Sequence, residues 1–503
     1  MSLEGKHPRP AEAVAPPGAP SYRLERAWAR TVVSTLPLVL ALVLACVMYA
    51  PAIPSGLYGD DYAYLLAQRE MGFGDFVAAA LDPRESDTLL DVPGGYWRPL
   101  SSLSWLVTAP LFGANGQYYH LLTLAIHLAS VVMVWLLARR IAGGTVGPAA
   151  AAILVAIHPA SVEAVAWASS INSAALPFAL AAWLALARAV RDDEPQRARW
   201  LLVAAGFLSI ALLFRETVAV IAVAASLWYL AVSPPPWRSL TARRTARWAA
   251  PILAMAAPVV AYLLISTVFF TQSNSGNRVV WSWDGVENWG FYIRYAGAPI
   301  GPPAATPVKV FGAVVGAVLL LLIPATVLAR RPVVAALVLG FVVGLLPYAF
   351  VDFGTSVRYL YFPLAPLALG LAVLIAAFEE PVPGRWRNAV PAAAALLMLA
   401  AIPVALYGSV RVDRWVTSAP DKEDAWLEQV TATWPTWPHE GGRLFAANTP
   451  LMLGIFGGFA LQPALDYVYD GQAPDQVVVI AEEDIPRVEF IVTEQDEIFV
   501  FEE

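Results

Sequence analysis

Long apolar runs, separated by short clusters of charged and turn-forming residues, recur along most of the chain. A run of about 20 mainly apolar residues is long enough to cross about 30 Å of hydrocarbon as a helix. The first run covers 31–50. Ten others lie at 119–138, 146–158, 171–189, 200–213, 216–232, 248–270, 308–328, 332–350, 358–378 and 389–409. The pattern predicts an all-α polytopic membrane protein with about eleven transmembrane helices.

The composition agrees with a membrane protein. Of the 503 residues, 58% are hydrophobic and only 14% are charged, whereas soluble domains carry about 25% charged residues. The single cysteine, Cys46, lies inside the first apolar run and excludes an intrachain disulfide or CxxC chemistry. The net charge of -7 argues against nucleic acid as a partner.

The positions of the arginines predict the orientation, because cytoplasmic loops of membrane proteins carry an excess of Lys and Arg. Alternate loops hold Arg139 and Arg140, Arg188 to Arg199, Arg238 to Arg247, Arg330 and Arg331, and Arg385 and Arg387. We assign these loops, and a disordered N-terminus over 1–30, to the cytoplasm. The loops 51–118 and 271–307 and the residues after 410 then lie outside. The predicted location is a multi-pass plasma (inner) membrane.

Residues 411–503 have a different character. Short β-rich runs at 476–480, 487–492 and 497–501 alternate with acidic residues. They predict a small extracytoplasmic α+β domain at the C-terminus. Two interpretations remain open: a solvated cap over the membrane part, or a domain that docks an acceptor or partner.

Two adjacent carboxylates, Asp60 and Asp61, follow the first apolar run. In a partly dry cleft they would repel each other, and one pKa would rise toward the range of a general base. The alternative is a helix N-cap followed by an acid in the first turn.

Several arginines lie on the predicted outer side, against the positive-inside trend. They are Arg98, Arg215, Arg278, Arg294 and Arg358. An arginine at the membrane edge requires an anion. That anion is either an acidic side chain of the protein or a phosphate, which guanidinium binds through a bidentate fork. Other polar residues at the outer ends of the apolar runs are His158, Glu163, Asn172, Glu216, Tyr359 and Tyr361.

Five stretches of the chain carry a family resemblance. In order they read GDDY from Gly59, YWRPL from Tyr96 leading to YYH at 118–120, HPASVEAVA from His158, FRETV from Phe214 and SVRYLYFP from Ser356. This series resembles the membrane part of the tetratricopeptide-linked transmembrane O-mannosyltransferases. More broadly it is similar to the C-type (GT-C) glycosyltransferase superfamily, over about residues 30 to 378.

The resemblance implies a GT-C catalytic domain over 31–410, with an outward-facing site. The implied reaction is an inverting transfer of a sugar from a polyprenyl-phosphate monosaccharide to a glycan, lipid or protein acceptor. Asp60 and Asp61 match the position that activates the acceptor. Arg215, Arg358 and Arg98 would bind the donor phosphate.

The remaining polar residues named above, from His158 to Tyr361, would contact substrate. Asn172 departs from the family, which often has an acid in this loop. The sequence indicates no set of metal ligands, and a divalent metal is left open.

Two other interpretations compete with transfer chemistry. A transporter or flippase of lipid-linked sugars would use the same arginines to bind phosphate, and a degenerate family member would serve as a scaffold. The Asp60–Asp61 pair favours an enzyme, since a flippase needs no general base. A transporter would also be expected to have pseudo-symmetric halves, and none are apparent in the sequence.

Overall fold

The structure is a computed structural model. It describes residues 20–57, 59–82, 97–191, 195–235, 241–269, 282–297, 314, 316–318, 320–321, 323–327, 330–350, 357–379, 422–439, 442–447, 449, 458–470, 472–480 and 497–500.

Helices make up most of this part of the chain. They are α1 (Pro20–Tyr49), α2 (Asp60–Glu70), α3 (Phe73–Leu81), α4 (Pro99–Phe112), α5 (Gly116–Ala142), α6 (Val146–Ile157), α7 (Val162–Ala166), α8 (Ala175–Ala189), α9 (Arg197–Phe214), α10 (Ala219–Val232), α11 (Ala242–Phe269), α12 (Trp283–Gly297), α13 (Pro332–Gly344), α14 (Leu346–Ala349), α15 (Leu364–Glu379), α16 (422–433) and α17 (Gly458–Val468). Short 3₁₀ helices include Ala168–Ala174, Glu216–Val218 and Val357–Leu360. Residues 20–30, predicted to be disordered, are helical, and 1–19 lie outside the described residues.

Several of these helices can cross a membrane. Among the described residues, six are long and apolar enough, and α6 with the following Pro159–Ala166 forms a seventh candidate bent by 53°. The predicted runs 216–232, 308–328 and 358–378 correspond to shorter apolar helices, and 389–409 lies outside the described residues. The chain is therefore a multi-pass membrane protein, while the count of eleven spans stays a prediction.

Small residues allow the spans to pack closely. A Cβ atom on Gly147 of α6 would lie 2.5 Å from the carbonyl oxygen of Ala372 in α15, and one on Gly340 of α13 would lie 2.8 Å from the Cβ of Ala224 in α10. Close backbone approach at small residues is typical of helix contacts in membranes, where lipid supplies no hydrophobic drive for association. These contacts join α6, α10, α13 and α15 in one apolar core.

A three-stranded parallel sheet lies in the C-terminal part. Its central strand is β1 (Arg443–Ala447), flanked by β2 (Gln476–Ile480) and β3 (Glu497–Val500). The predicted strands at 476–480 and 497–501 correspond to β2 and β3. The run 487–492 lies outside the described residues, and β1 was not predicted.

A second apolar core lies between this sheet and the loop after α1. It buries Tyr62 of α2 and Trp105 of α4 together with Trp426 of α16, Leu465 of α17 and Phe499 of β3. One core therefore joins two segments that the sequence analysis assigned to separate domains. The division at 410/411 stays a prediction.

Candidate functional site

The adjacent aspartates lie at the start of α2. Gly59, just before the helix, has φ 59° and ψ -123°, a conformation that is essentially restricted to glycine. The side chain of Asp61 is fully buried. Its Oδ1 accepts a hydrogen bond from the backbone N–H of Ser169, at 2.6 Å. The side chain of Asp60 lies outside the described part of the structure.

The 3₁₀ helix Ala168–Ala174, which contacts Asp61, also contacts a candidate arginine. Oδ1 of Asn172 accepts a hydrogen bond from Nη1 of Arg215, at 2.9 Å. Asn172 lies three positions after Ser169, which is about 6 Å along a 3₁₀ helix at about 2 Å per residue. One short segment therefore holds a candidate carboxylate and a candidate cation on the same scaffold.

Arg215 lies in the extended turn between α9 and the 3₁₀ helix Glu216–Val218. Its guanidinium carbon lies 5.6 Å from the ring centre of Phe362, and its Nε is buried without a hydrogen-bond partner among the described residues. Among the described residues, no carboxylate forms an ion pair with Arg215 within 4.0 Å. Its hydrogen-bond partner Asn172 is neutral, so the positive charge of Arg215 is not neutralised by direct pairing there.

Arg98 has a carboxylate partner. Its Nε and Nη2 donate to Oε2 and Oε1 of Glu216, at 2.8 and 2.7 Å. Glu216, which the resemblance implied as a substrate contact, uses both carboxylate oxygens on Arg98, which precedes α4. A substrate role for Glu216 stays a prediction. This geometry favours the alternative of an intraprotein ion pair for Arg98.

Arg358 has a carboxylate nearby, but at a longer distance than the one that pairs with Arg98. Its Nε is 3.8 Å from Oε2 of Glu163 in α7, and its guanidinium carbon lies 5.2 Å from the ring centre of Trp167 and 5.5 Å from that of Tyr359. The ring of Tyr359 stacks on Tyr348 with a centroid separation of 4.9 Å. Glu163 and Tyr359 therefore belong to the same cluster as Arg358.

The polar atoms of two other predicted site residues, His158 and Tyr361, make their contacts outside the cluster around Arg358. The Nδ1 atom of His158 accepts a hydrogen bond from the N–H of Ala160 and caps a 3₁₀ turn. The Tyr361 hydroxyl lies 3.3 Å from Nδ1 of His127 and 3.4 Å from the hydroxyl of Ser130, inside the helix core. These contacts account for Nδ1 of His158 and for the hydroxyl of Tyr361, and a substrate role for either residue stays a prediction.

Of the other arginines predicted to lie on the outer side, Arg278 lies outside the described residues, and the guanidinium carbon of Arg294 lies 5.9 Å from the ring centre of Phe291. In the portion of the chain that the structure describes, no three His, Cys, Asp or Glu side chains are grouped so that they could hold a metal ion. The arrangement therefore offers carboxylates near the start of α2 and guanidinium groups near Glu163 and Asn172. Such a set can accept a proton and bind a phosphate.

Comparison with known proteins covers this region. The family model for dolichyl-phosphate-mannose-protein mannosyltransferases matches residues 99–262, which include Glu163, Asn172, Arg215 and Glu216. Protein O-mannosyl-transferase Tmtc1 of Drosophila melanogaster is 34% identical over 125 residues. These matches confirm the GT-C resemblance. The match to Tmtc1 covers 24% of this chain and 15% of that protein.

Two solved structures are similar over most of the GT-C-like chain. Both are of ArnT from Cupriavidus metallidurans and are 14% identical to this chain. The structure bound to undecaprenyl phosphate covers 92% of this chain and 89% of its own, with a TM-score of 0.49. The apo structure covers 90% and 86%, with a TM-score of 0.48.

Sequence reasoning missed how the loop before α2 of this GT-C-like chain is held. The backbone N–H of Gly59 faces the carboxylate of Glu423 in α16, at 3.2 Å from Oε2. Nε2 of His120 lies 3.2 Å from the carbonyl oxygen of Gly56. The sequence singled out His120 beside two tyrosines without a partner, and Glu423 lies in an acidic run, Asp-Lys-Glu-Asp, that resembles a solvated helix start. Neither contact has a local sequence signal.

Proposed function

We propose that this protein is an inverting membrane glycosyltransferase, which moves a sugar from a polyprenyl-phosphate monosaccharide to an acceptor hydroxyl at the outer membrane face. One observation carries the proposal: the 3₁₀ helix Ala168–Ala174 contacts both Asp61 and Arg215. An inverting transfer needs a base on one side of the anomeric carbon and a phosphate-binding group on the other. The 3₁₀ helix that contacts both Asp61 and Arg215 would hold the base and the phosphate-binding group at a fixed separation, which supports this assignment of roles.

Asp60 is the proposed general base, and Asp61 supports it from its contact with Ser169. The acceptor O–H gives its proton to the carboxylate of Asp60. The acceptor oxygen then bonds to the anomeric carbon, the bond from that carbon to the phosphate oxygen breaks, and polyprenyl phosphate leaves. A positioned general base of this kind typically contributes about 10²–10⁴-fold to the rate.

Arg215 and Arg358 are the proposed ligands of the donor phosphate. The phosphate gains negative charge as the glycosidic bond breaks, so a guanidinium beside it stabilises the transition state more than the bound donor. Among the described residues, the hydrogen-bond partner of Arg215 is the neutral side chain of Asn172, which supports this role. We leave Arg98 out of the phosphate site, because Glu216 already occupies two of its donors.

The test uses the full chain, purified in detergent, with a panel of polyprenyl-phosphate sugars and simple hydroxyl acceptors. We expect at least one donor to yield a glycosylated acceptor and an equal amount of free polyprenyl phosphate. The Asp60→Asn variant serves as the inactive control. If the panel shows no bond cleavage, but proteoliposomes carrying the protein move a lipid-linked sugar between leaflets, the flippase alternative replaces this proposal.

A further inference from the structure

A buried carboxylate from the C-terminal part of the chain reaches the start of α2. Glu423, near the beginning of α16, is fully buried. Its two oxygens lie 3.4 and 3.2 Å from the backbone nitrogen of Gly59. The two residues are 364 positions apart in sequence. The contact therefore ties a late segment of the chain to the residue that immediately precedes Asp60.

The N–H of Gly59 is a sensitive place for such a contact. The first backbone N–H groups of a helix have no partner within the helix, and a carboxylate there is favoured by the partial positive charge of the helix N-terminus. A hydrogen bond to an ionised acceptor is also about twice as strong as a neutral one. Gly59 holds a positive φ of 59°. A hydrogen bond that fixes the backbone of Gly59 thus also fixes the position of the first turn of α2, which carries Asp60 and Asp61.

The apolar core, rather than Glu423, anchors α16 on the outer loop. Trp426, Leu427 and Val430 of α16 are buried in the core shared with α2 and α4. A second polar link joins α2 to α17, where Arg69 donates to the backbone carbonyls of Asp466 and Tyr467. Removal of the Glu423 carboxylate should leave α16 in place. The hydrogen bond between Glu423 and Gly59 then fixes the loop before α2, while the apolar core holds α16 itself.

The negative charge of Glu423 also acts on Tyr62, the residue that follows the two aspartates. The ring of Tyr62 is buried. Burial and the carboxylates of Glu423, Asp424 and Asp61 together raise the pKa of the Tyr62 hydroxyl. This hydroxyl therefore stays protonated, and the start of α2 is a region where carboxylates from both ends of the chain meet.

We propose that Glu423 is a positioning residue for the Asp60–Asp61 pair, so that the C-terminal segment completes the catalytic site instead of merely capping it. This inference rests on the proposed transfer reaction. Glu423 acts through the backbone of Gly59 and does not touch the substrate. A displacement of about 1 Å in a catalytic group can cost about 10²-fold in rate, so loss of the contact should act on turnover.

The test compares Glu423→Ala, Glu423→Gln and Glu428→Ala in the full chain. Glu428 lies on the same helix and is exposed, which makes it the matched control. We expect Glu423→Ala to lower kcat by about 10²-fold with little change in KM for the donor. Glu423→Gln keeps a carbonyl oxygen that can accept from Gly59 and should retain most of the rate. Glu428→Ala should behave like the wild type.

Hydrogen–deuterium exchange supplies a readout that does not depend on activity. We expect faster exchange in a peptide covering 57–66 for Glu423→Ala, with α16 still protected. Unchanged exchange there would overturn the inference, and so would full turnover by Glu423→Ala beside an active wild type. If the wild type itself transfers no sugar, the proposed function fails, and the catalytic role of Glu423 fails with it.

Discussion

Oδ1 of Asn172 lies 2.9 Å from Nη1 of Arg215, so the guanidinium of Arg215 has a neutral partner. The nearby Arg98 instead meets both oxygens of Glu216. The sequence analysis placed both arginines on the predicted outer side and proposed both as phosphate ligands. Their partners distinguish them, because in the described part of the chain Arg98 is paired with a carboxylate and Arg215 is not.

Asn172→Asp should weaken binding of the donor phosphate. A carboxylate at this position would form a charge-assisted hydrogen bond with Arg215 and compete with the phosphate for its charge. We expect a loss of donor affinity of about tenfold, or about 1.4 kcal/mol. Asn172→Ala removes the same hydrogen bond without adding charge and is the control. Equal donor affinity in the two variants, measured by titration of polyprenyl phosphate, would contradict the assignment of Arg215.

Arg98→Ala and Arg215→Ala should differ in kind. Removal of Arg98 leaves the Glu216 carboxylate, which is only 21% exposed, without its bidentate partner. Loss of a hydrogen bond to a charged group costs about 1.5–3 kcal/mol, so we expect a clear fall in the thermal unfolding temperature. Arg215→Ala should keep that temperature and lose turnover. Thermal unfolding and single-turnover rates on the same preparations distinguish the two, and a reversed pattern would exchange the roles of the two arginines.

Asp60→Asn and Asp61→Asn should not be equivalent. Loss of the general base lowers the rate by about 10²–10⁴-fold, which we expect for Asp60→Asn in a folded protein. Asn at position 61 still offers Oδ1 to the N–H of Ser169, so this variant should retain more activity. Turnover measured at saturating donor checks both. Near-normal rates in both single variants and in the double variant would exclude an acid–base role for the pair.

Gly59→Ala should destabilise the loop without any steric clash. A Cβ atom there has nothing within 4 Å, but the φ of 59° and ψ of -123° are strained for alanine, at a cost of about 1–3 kcal/mol. Gly74 in α3 also has open space around a new Cβ, and it has no positive φ. Gly74→Ala should therefore be neutral or slightly stabilising. The thermal unfolding temperatures of the two variants are compared. Each variant adds one methyl group, so a difference between them reports the backbone strain at Gly59.

The orientation can be tested with single cysteines. In a Cys46→Ala background, we expect Glu428→Cys to react with a membrane-impermeant maleimide from outside the cell. Arg244→Cys should react only after the membrane is opened. Both native side chains are exposed in the structure, so access is not limited by packing. Labelling of both positions from one side would contradict the orientation that the arginines predict.

The apolar runs predicted most helices because a chain in lipid must satisfy its backbone hydrogen bonds locally. For α5 the predicted 119–138 became Gly116–Ala142, and the earlier start follows from Asn115, whose side chain accepts from the N–H of Gln117 at 3.1 Å. The partners of charged residues could not be predicted in this way. Glu216 adjoins Arg215 in sequence but pairs with Arg98, 118 residues away.

The same limit applies to the C-terminal part of the molecule. The sequence indicated β2 and β3 by their β-rich runs, but β1, with the sequence Arg-Leu-Phe-Ala-Ala, is too short and too rich in alanine to stand out. The sequence also contains no pattern that predicts the packing of α16 on α2 and α4. These contacts depend on the fold of residues far apart in the chain, and a single sequence carries no local pattern for them.

The apolar core shared by the α2–α4 loop and the C-terminal segment also sets an order of assembly. A ribosome makes Tyr62 and Trp105 long before Trp426, yet all three are buried in the same core. The α2–α4 loop can therefore reach its final packing only after α16 has been made. A chain that stops before α16 would leave exposed the aromatic residues of that loop that the later segment covers in the complete fold.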